Sequence, residues 1–131
     1  VDLTEKELLV EILIPKKNKI CSFEKVSKRQ YVDIATVNST LSFVEKNGTM
    51  TDVRLSYGSM APIPLLAEKT AAFLENKKIT RKTIIEAQPV LRKELAPISD
   101  VRASREYREE VACSLLVRHF IKLFPEQEWM A

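Results

Sequence analysis

Between Tyr107 and Phe124 apolar side chains return every three to four residues: Val111 and Ala112, Leu115 and Leu116, then Phe120, Leu123 and Phe124, with His119 on the same stripe. That period predicts a long helix facing a core. Its entry is the polar run Pro97-Ile98-Ser99-Asp100-Val101-Arg102-Ala103-Ser104. Pro125 stops it, because proline has no amide hydrogen to donate and crowds the preceding turn. The first half of the chain carries a period of two instead. Leu8, Val10, Ile12 and Ile14 alternate with Glu7, Leu9, Glu11 and Leu13, which predicts a strand over 8–14 that Pro15 ends.

Residues 20–26 predict a second strand by their β-branched and aromatic content, with Cys21, Phe23 and Lys25 sharing a face. A third runs over 34–45, with Ala35, Val37, Ser39, Leu41 and Phe43 pointing one way. Asn47-Gly48 is a hairpin signal, since both residues tolerate positive φ, and 52–57 is the return strand with Val53, Leu55 and Tyr57 inward. Two prolines and a glycine make 58–64 irregular. A helix is predicted over 65–76 with Leu66, Thr70, Phe73 and Leu74 as its apolar edge. Thr80 is placed to cap another, running to about Leu95, with Ile84, Ala87 or Gln88, Leu91 and Leu95 inward. Pro89 inside it predicts a kink or a break. Strands first and helices afterwards is the order of a two-layer α+β domain: an antiparallel sheet of three to four strands with three helices on one face.

Composition narrows the class. At 131 residues the chain fits one domain, 1–131, large enough to bury a core without staples. No apolar run approaches the roughly 20 residues of a bilayer span, and no signal-peptide pattern opens the chain, so no membrane partner is expected. Val1 stands where an initiator methionine would, directly before strand-like sequence, and the expectation is a piece of something longer. Cys21 and Cys113 have no Cys-x-x-Cys spacing, which argues against a metal or iron–sulfur site; two buried, reduced thiols of a cytoplasmic protein are expected. The net charge of +3 draws on Lys16-Lys17-Asn18-Lys19, which lacks interleaved aromatics and reads as a solvated loop rather than a nucleic-acid patch.

Candidate chemistry is sparse. Gly48 and Gly58 are the only glycines, so there is no G-x-G-x-x-G and no phosphate loop, and the chain by itself should not grip a dinucleotide's phosphates. His119 reads as a hydrogen-bonded helix histidine, because no nucleophile constellation accompanies it. Asp100, Arg102 and Arg108 read as capping plus ion pairing at a helix entry. Glu7 and Leu9 lie two apart on one predicted strand face and Lys25 lies on the neighbouring strand; as residues alone they make an ordinary surface patch. Trp129, in the polar end 126–131, would suit a docking contact with a partner subunit.

Four separated stretches, in order, resemble one family. Glu7-Leu8-Leu9 leading to Ile14-Pro15 is similar to an entry strand, and Ser22-Phe23-Glu24-Lys25 with Arg29, Asp33-Ile34-Ala35 and Val37-Asn38 to a second motif. Arg54-Leu55-Ser56-Tyr57-Gly58-Ser59-Met60-Ala61-Pro62 and Ser99-Asp100-Val101-Arg102-Ala103-Ser104 with Tyr107-Arg108 complete the set. Together they resemble the C-terminal domain of the FAD-binding subunit of the xanthine dehydrogenase and carbon monoxide dehydrogenase family of molybdenum hydroxylases. The resemblance implies an oxidoreductase. In that family a molybdenum-cofactor subunit oxidises the substrate, an iron–sulfur subunit relays electrons, and FAD passes them to NAD or another acceptor. It implies a preceding FAD-binding domain that holds the phosphates, and a fragment not catalytic by itself. It carries a flavin-lining role onto Glu7 and Leu9 and a flavin-contacting role onto Lys25. Many relatives carry arginine where this chain has Leu66, and the basic 16–19 loop can be acidic in relatives.

Overall fold

The computed structural model describes residues 3–14, 18–127 and 129. Four strands form one antiparallel meander in chain order: β1 (Ile20–Val26), β2 (Val37–Lys46), β3 (Thr49–Gly58) and the short β4 (Leu65–Leu66). Three helices follow, α1 (Glu68–Leu74), α2 (Arg81–Arg92) and α3 (Arg105–Leu123). α3 lies on β1 and β2, α1 lies on β3, and α2 packs against both of the other helices. The arrangement is the two-layer α+β domain that the order of periods predicts.

The central hairpin is built as its turn residues require. Lys46 pairs with Thr49, and Asn47 and Gly48 both take positive φ, 52° and 74°, which matches the turn to the right-handed twist of the strands. Val37, Leu41 and Phe43 of β2 and Leu55 and Tyr57 of β3 are sealed under the helices against Ile84, Leu91, Leu116 and Phe120. Thr80 and Ser104 cap α2 and α3, accepting hydrogen bonds from the amides of Thr83 and Tyr107. Midway along β3 the chain carries one residue too many: Ser42 pairs with Arg54 but Val44 with Thr51. Asp52, at φ 51°, absorbs the bulge. The amides this leaves facing outward, those of Asp52 and Val53, both donate to the Glu75 carboxylate at 3.0 Å.

Several expectations are corrected. Residues 8–14 form no strand and are exposed throughout. Their period of two is sound, but both faces carry leucine or isoleucine, and no neighbouring strand among the described residues takes up their backbone groups. The fourth strand is β4 instead, so the predicted helix over 65–76 shortens to Glu68–Leu74, and Leu66 is exposed on a strand rather than buried on a helix. β2 starts at Val37, three residues after Ile34. Pro89 neither breaks nor ends α2, which continues to Arg92. The bond it cannot make is to the carbonyl of Ile85, on the exposed side of the helix, where water can replace the missing amide. Cys113 is buried but Cys21 is exposed.

Trp129 folds back onto the helices. Trp129 is 6% exposed, its ring 5.9 Å from that of Phe120, and its indole N–H donates to the Phe124 carbonyl at 2.8 Å. Arg81 on α2 donates to the Trp129 carbonyl at 3.1 Å. The residue read as an exposed docking contact is therefore part of the core. Trp129→Ala should cost about 3 kcal/mol, the usual range for deleting a large buried aromatic, read as a lower urea midpoint with an unchanged slope.

Candidate functional site

The two faces of the sheet differ in kind. Toward the helices, β1 presents Ser22 and Glu24, and both are buried. Their partners are spaced along α3. His119, fully buried, sits between the hydroxyls of Ser22 (Nδ1, 2.9 Å) and Ser39 (Nε2, 2.8 Å), and so ties α3 to two adjacent strands at once. Glu24 binds Arg118 at 2.7 Å and Lys122 at 2.8 Å, one turn apart on the helix. At the other end of α3, Arg108 donates to Asp100 at 2.6 Å and to the Thr36 carbonyl at 2.9 Å. Asp100 also accepts from the amides of Arg102 and Ala103, which gives the sequence motif a structural reading: one carboxylate organises the helix entry.

The electrostatics follow from burial. Desolvation drives the His119 imidazole down to about 4, outweighing the pull of Glu24, so the ring is neutral at pH 7. A neutral ring between two hydroxyls donates to one and accepts from the other. Burial raises the Glu24 carboxyl, but hydrogen bonds from Lys122 and Arg118 outweigh it and hold the group below its ordinary value. The Arg108 guanidinium holds Asp100 down to about 2. These groups are shut from solvent or mutually satisfied, which suits a structural seam rather than a reacting site. Among the described residues no group of three or more histidine, cysteine, aspartate or glutamate side chains could hold a metal ion.

The opposite face is open. Strand register places its residues in rows: Phe23, Thr40, Ser56 and Leu66 across all four strands; Lys25, Asn38 and Gly58 across three; Cys21, Ser42 and Arg54 across three. Phe23 and Leu66, 55% and 59% exposed, flank a centre of small and polar side chains. The Lys25 ammonium donates to the Asp33 carbonyl at 2.7 Å, which holds it against the loop between β1 and β2. That loop is braced in turn, since Asp33 accepts from the Arg29 amide at 2.9 Å and Lys28 reaches the Val101 carbonyl at 3.3 Å.

Of the three candidate residues, only Lys25 lies on this face. Glu7 accepts from the Thr4 amide at 2.8 Å, and Leu9 is 60% exposed on the segment outside the sheet. Among the described residues no hydrogen bond or ion pair joins that segment to Lys25. Of the basic run, Lys16 and Lys17 lie outside the described residues, and Lys19 pairs with Asp52 at 2.7 Å rather than facing solvent. Sequence reasoning missed the polar lining of β1. Its one signal was alternation: with Cys21, Phe23 and Lys25 on one side, Ser22 and Glu24 had to share the other.

Comparison with known proteins places the domain. A family model described as CO dehydrogenase flavoprotein C-terminal domain matches residues 22–123. The chain belongs to that family. Relatives of this C-terminal domain include the putative xanthine dehydrogenase FAD-binding subunit XdhB of Escherichia coli K12, 27% identical over 111 residues that are 82% of this chain and 38% of the relative. Mouse aldehyde oxidase 4 is 27% identical over 98% of this chain and 10% of its own. The chain thus spans well under half the length of these curated relatives. The crystal structure of quinoline 2-oxidoreductase from Pseudomonas putida 86 superposes with a TM-score of 0.76 at 24% identity, covering 86% of this chain and 39% of that one. A Cu,Mo-CO dehydrogenase structure also gives 0.76, at 23% identity and 87% and 40% coverage. At these identities the two structures speak to the fold alone, and they agree with it.

The buried imidazole makes stability depend on pH with a definite sign. His119 takes up a proton near pH 6.5 when unfolded but only near 4 when folded, so its contribution is complete above 6.5 and is lost as the pH falls toward 4. That difference corresponds to on the order of 3 kcal/mol. Urea midpoints measured from pH 7 to 4 should fall steeply for the native chain, and His119→Gln should flatten that slope even though it starts from a lower midpoint.

Proposed function

We propose that this chain is the C-terminal domain of the FAD-binding subunit of a molybdenum hydroxylase of the xanthine dehydrogenase type. In this reading its open sheet face closes over the flavin. The single observation that carries the reading is family membership over residues 22–123, with relatives named as FAD-binding subunits. The uncovered face supports it physically. A row with Phe23 at one end and Leu66 at the other, with hydroxyls between and a lysine beside it, suits a flat ring system that is apolar on its faces and polar at its edge.

FAD, when held, would supply the two-electron carrier between iron–sulfur clusters and an acceptor such as NAD. The residues here fit its ring end and not its phosphates: two glycines, one of them in a hairpin turn, build no pyrophosphate cradle. The phosphates fall to a preceding FAD-binding domain, and the molybdenum-cofactor and iron–sulfur subunits are the further partners of a cytoplasmic enzyme. Lys25 places a positive charge beside the ring, which favours the reduced, anionic flavin. Glu7 and Leu9 approach the same ring from the exposed 3–14 segment, whose apolar side chains call for a cover. Leu66, where many relatives carry arginine, makes that rim apolar.

The alternative is a docking domain that contacts partner subunits through its sheet or tail and leaves the flavin alone; Trp129, the residue that motivates the tail contact, is buried. Lys25→Met in the intact subunit tests the flavin reading. Removing one partly screened charge near the ring, about 1 kcal/mol at contact distance in water, should make the flavin potential more negative by on the order of tens of millivolts. Spectroelectrochemical titration reads this directly, and an unchanged potential would take Lys25 out of the site.

A further inference from the structure

The backbone at position 58 does not itself call for glycine. Gly58 ends β3 outside the positive-φ region, where any residue could stand. Its missing side chain leaves room instead for a cross-strand partner. A Cβ at Gly58 would lie 2.5 to 2.9 Å from the amide atoms of Asn38. The Asn38 carboxamide therefore lies flat across β3, in the space that a side chain would fill. On its other side Asn38 pairs with Lys25.

Asparagine and glycine are both poor strand residues, and here they sit side by side on the two central strands, Asn38 second in β2 and Gly58 last in β3. Among the described residues no hydrogen bond engages the Asn38 amide. Local rules broken together, without compensation inside the fold, mark a position held for something outside it.

We infer that Asn38 is a flavin-recognition residue, its carboxamide pairing donor to acceptor with the imide edge of the isoalloxazine, the ring N3–H and a neighbouring carbonyl. The inference rests on the reading that the open face closes over the flavin. A carboxamide offers one acceptor and one donor side by side, the complement of a ring imide. Lys25 can only donate and cannot pair with N3–H. Thr40, Ser42 and Ser56 on the same face offer single hydroxyls. Gly58 leaves room for the amide to lie flat beside the sheet.

The test uses the flavoprotein subunit that contains this chain, stripped of flavin and titrated with FAD or with N3-methyl-FAD by quenching of flavin fluorescence. The native subunit should bind FAD about tenfold more tightly than the methylated analogue, the effect of one lost hydrogen bond with its partner left unpaired. Asn38→Val should bind the two equally, while its urea midpoint stays level or rises, because valine is the better strand former. Retained discrimination in Asn38→Val would overturn the inference, and so would a lower midpoint with FAD affinity unchanged, which would make the amide a packing group. Lys25→Met separates the two levels. If it perturbs the flavin spectrum and Asn38→Val does not affect binding, only the role of Asn38 falls; if neither variant affects flavin at all, the open-face reading falls with it.

Discussion

Everything in this domain is arranged around one buried imidazole. His119 joins β1 to β2 through Ser22 and Ser39, on a helix that spans both strands, in a place with no water to replace either partner. A hydrogen bond of this kind stabilises the fold only modestly when made, but leaving any of the three groups unpaired costs more. The asymmetry selects one rotation and one height of α3 over the sheet. Glu24, reaching Arg118 and Lys122 on the adjacent turns, repeats the constraint at the sheet edge. An apolar contact would tolerate sliding; this seam does not.

Fixing α3 on that side determines what the other side can be. With α1 and α3 both seated against the sheet and α2 packed over them, the second face keeps only small, polar and isolated apolar side chains. Remote carboxylates make this economical in length. Glu94, from the turn after α2, accepts the first-turn amides of Lys69 and Thr70, so α1 needs no capping side chain of its own. Glu75, just past α1, takes the two amides released by the bulge at Asp52, which closes that stretch of β3 without another strand. Lys19 then pairs with Asp52, so the start of β1 is fastened to the same bulge.

Much of this was legible in advance. The stripe on α3, the Asn47-Gly48 turn, the cap at Thr80 and the inward residues of β2 and β3 are local: each depends on a spacing or a residue type within a few positions. The errors share another cause. Residues 8–14 alternate as a strand does, but a strand exists only when a neighbour takes up its backbone groups. Leu65 and Leu66 look helical beside Glu68–Leu74, yet they pair with Tyr57 and Ser56 because Ala67 donates to the Leu55 carbonyl at 2.9 Å. Trp129 reads as exposed from its polar neighbours and is buried because Phe120 and Arg81 converge on it from different helices.

The candidate site divides in the same way. Sequence by itself determined that Lys25 shares a face with Phe23 and Cys21 and, by resemblance, which family to expect. Only the tertiary structure decided that this face is the uncovered one. That choice is set by α3, whose His119, Arg118 and Lys122 bond Ser39, Ser22 and Glu24, residues 80 to 98 positions away in the chain. Alternation makes two faces of a strand distinct; which of them faces water depends on partners that no local pattern names.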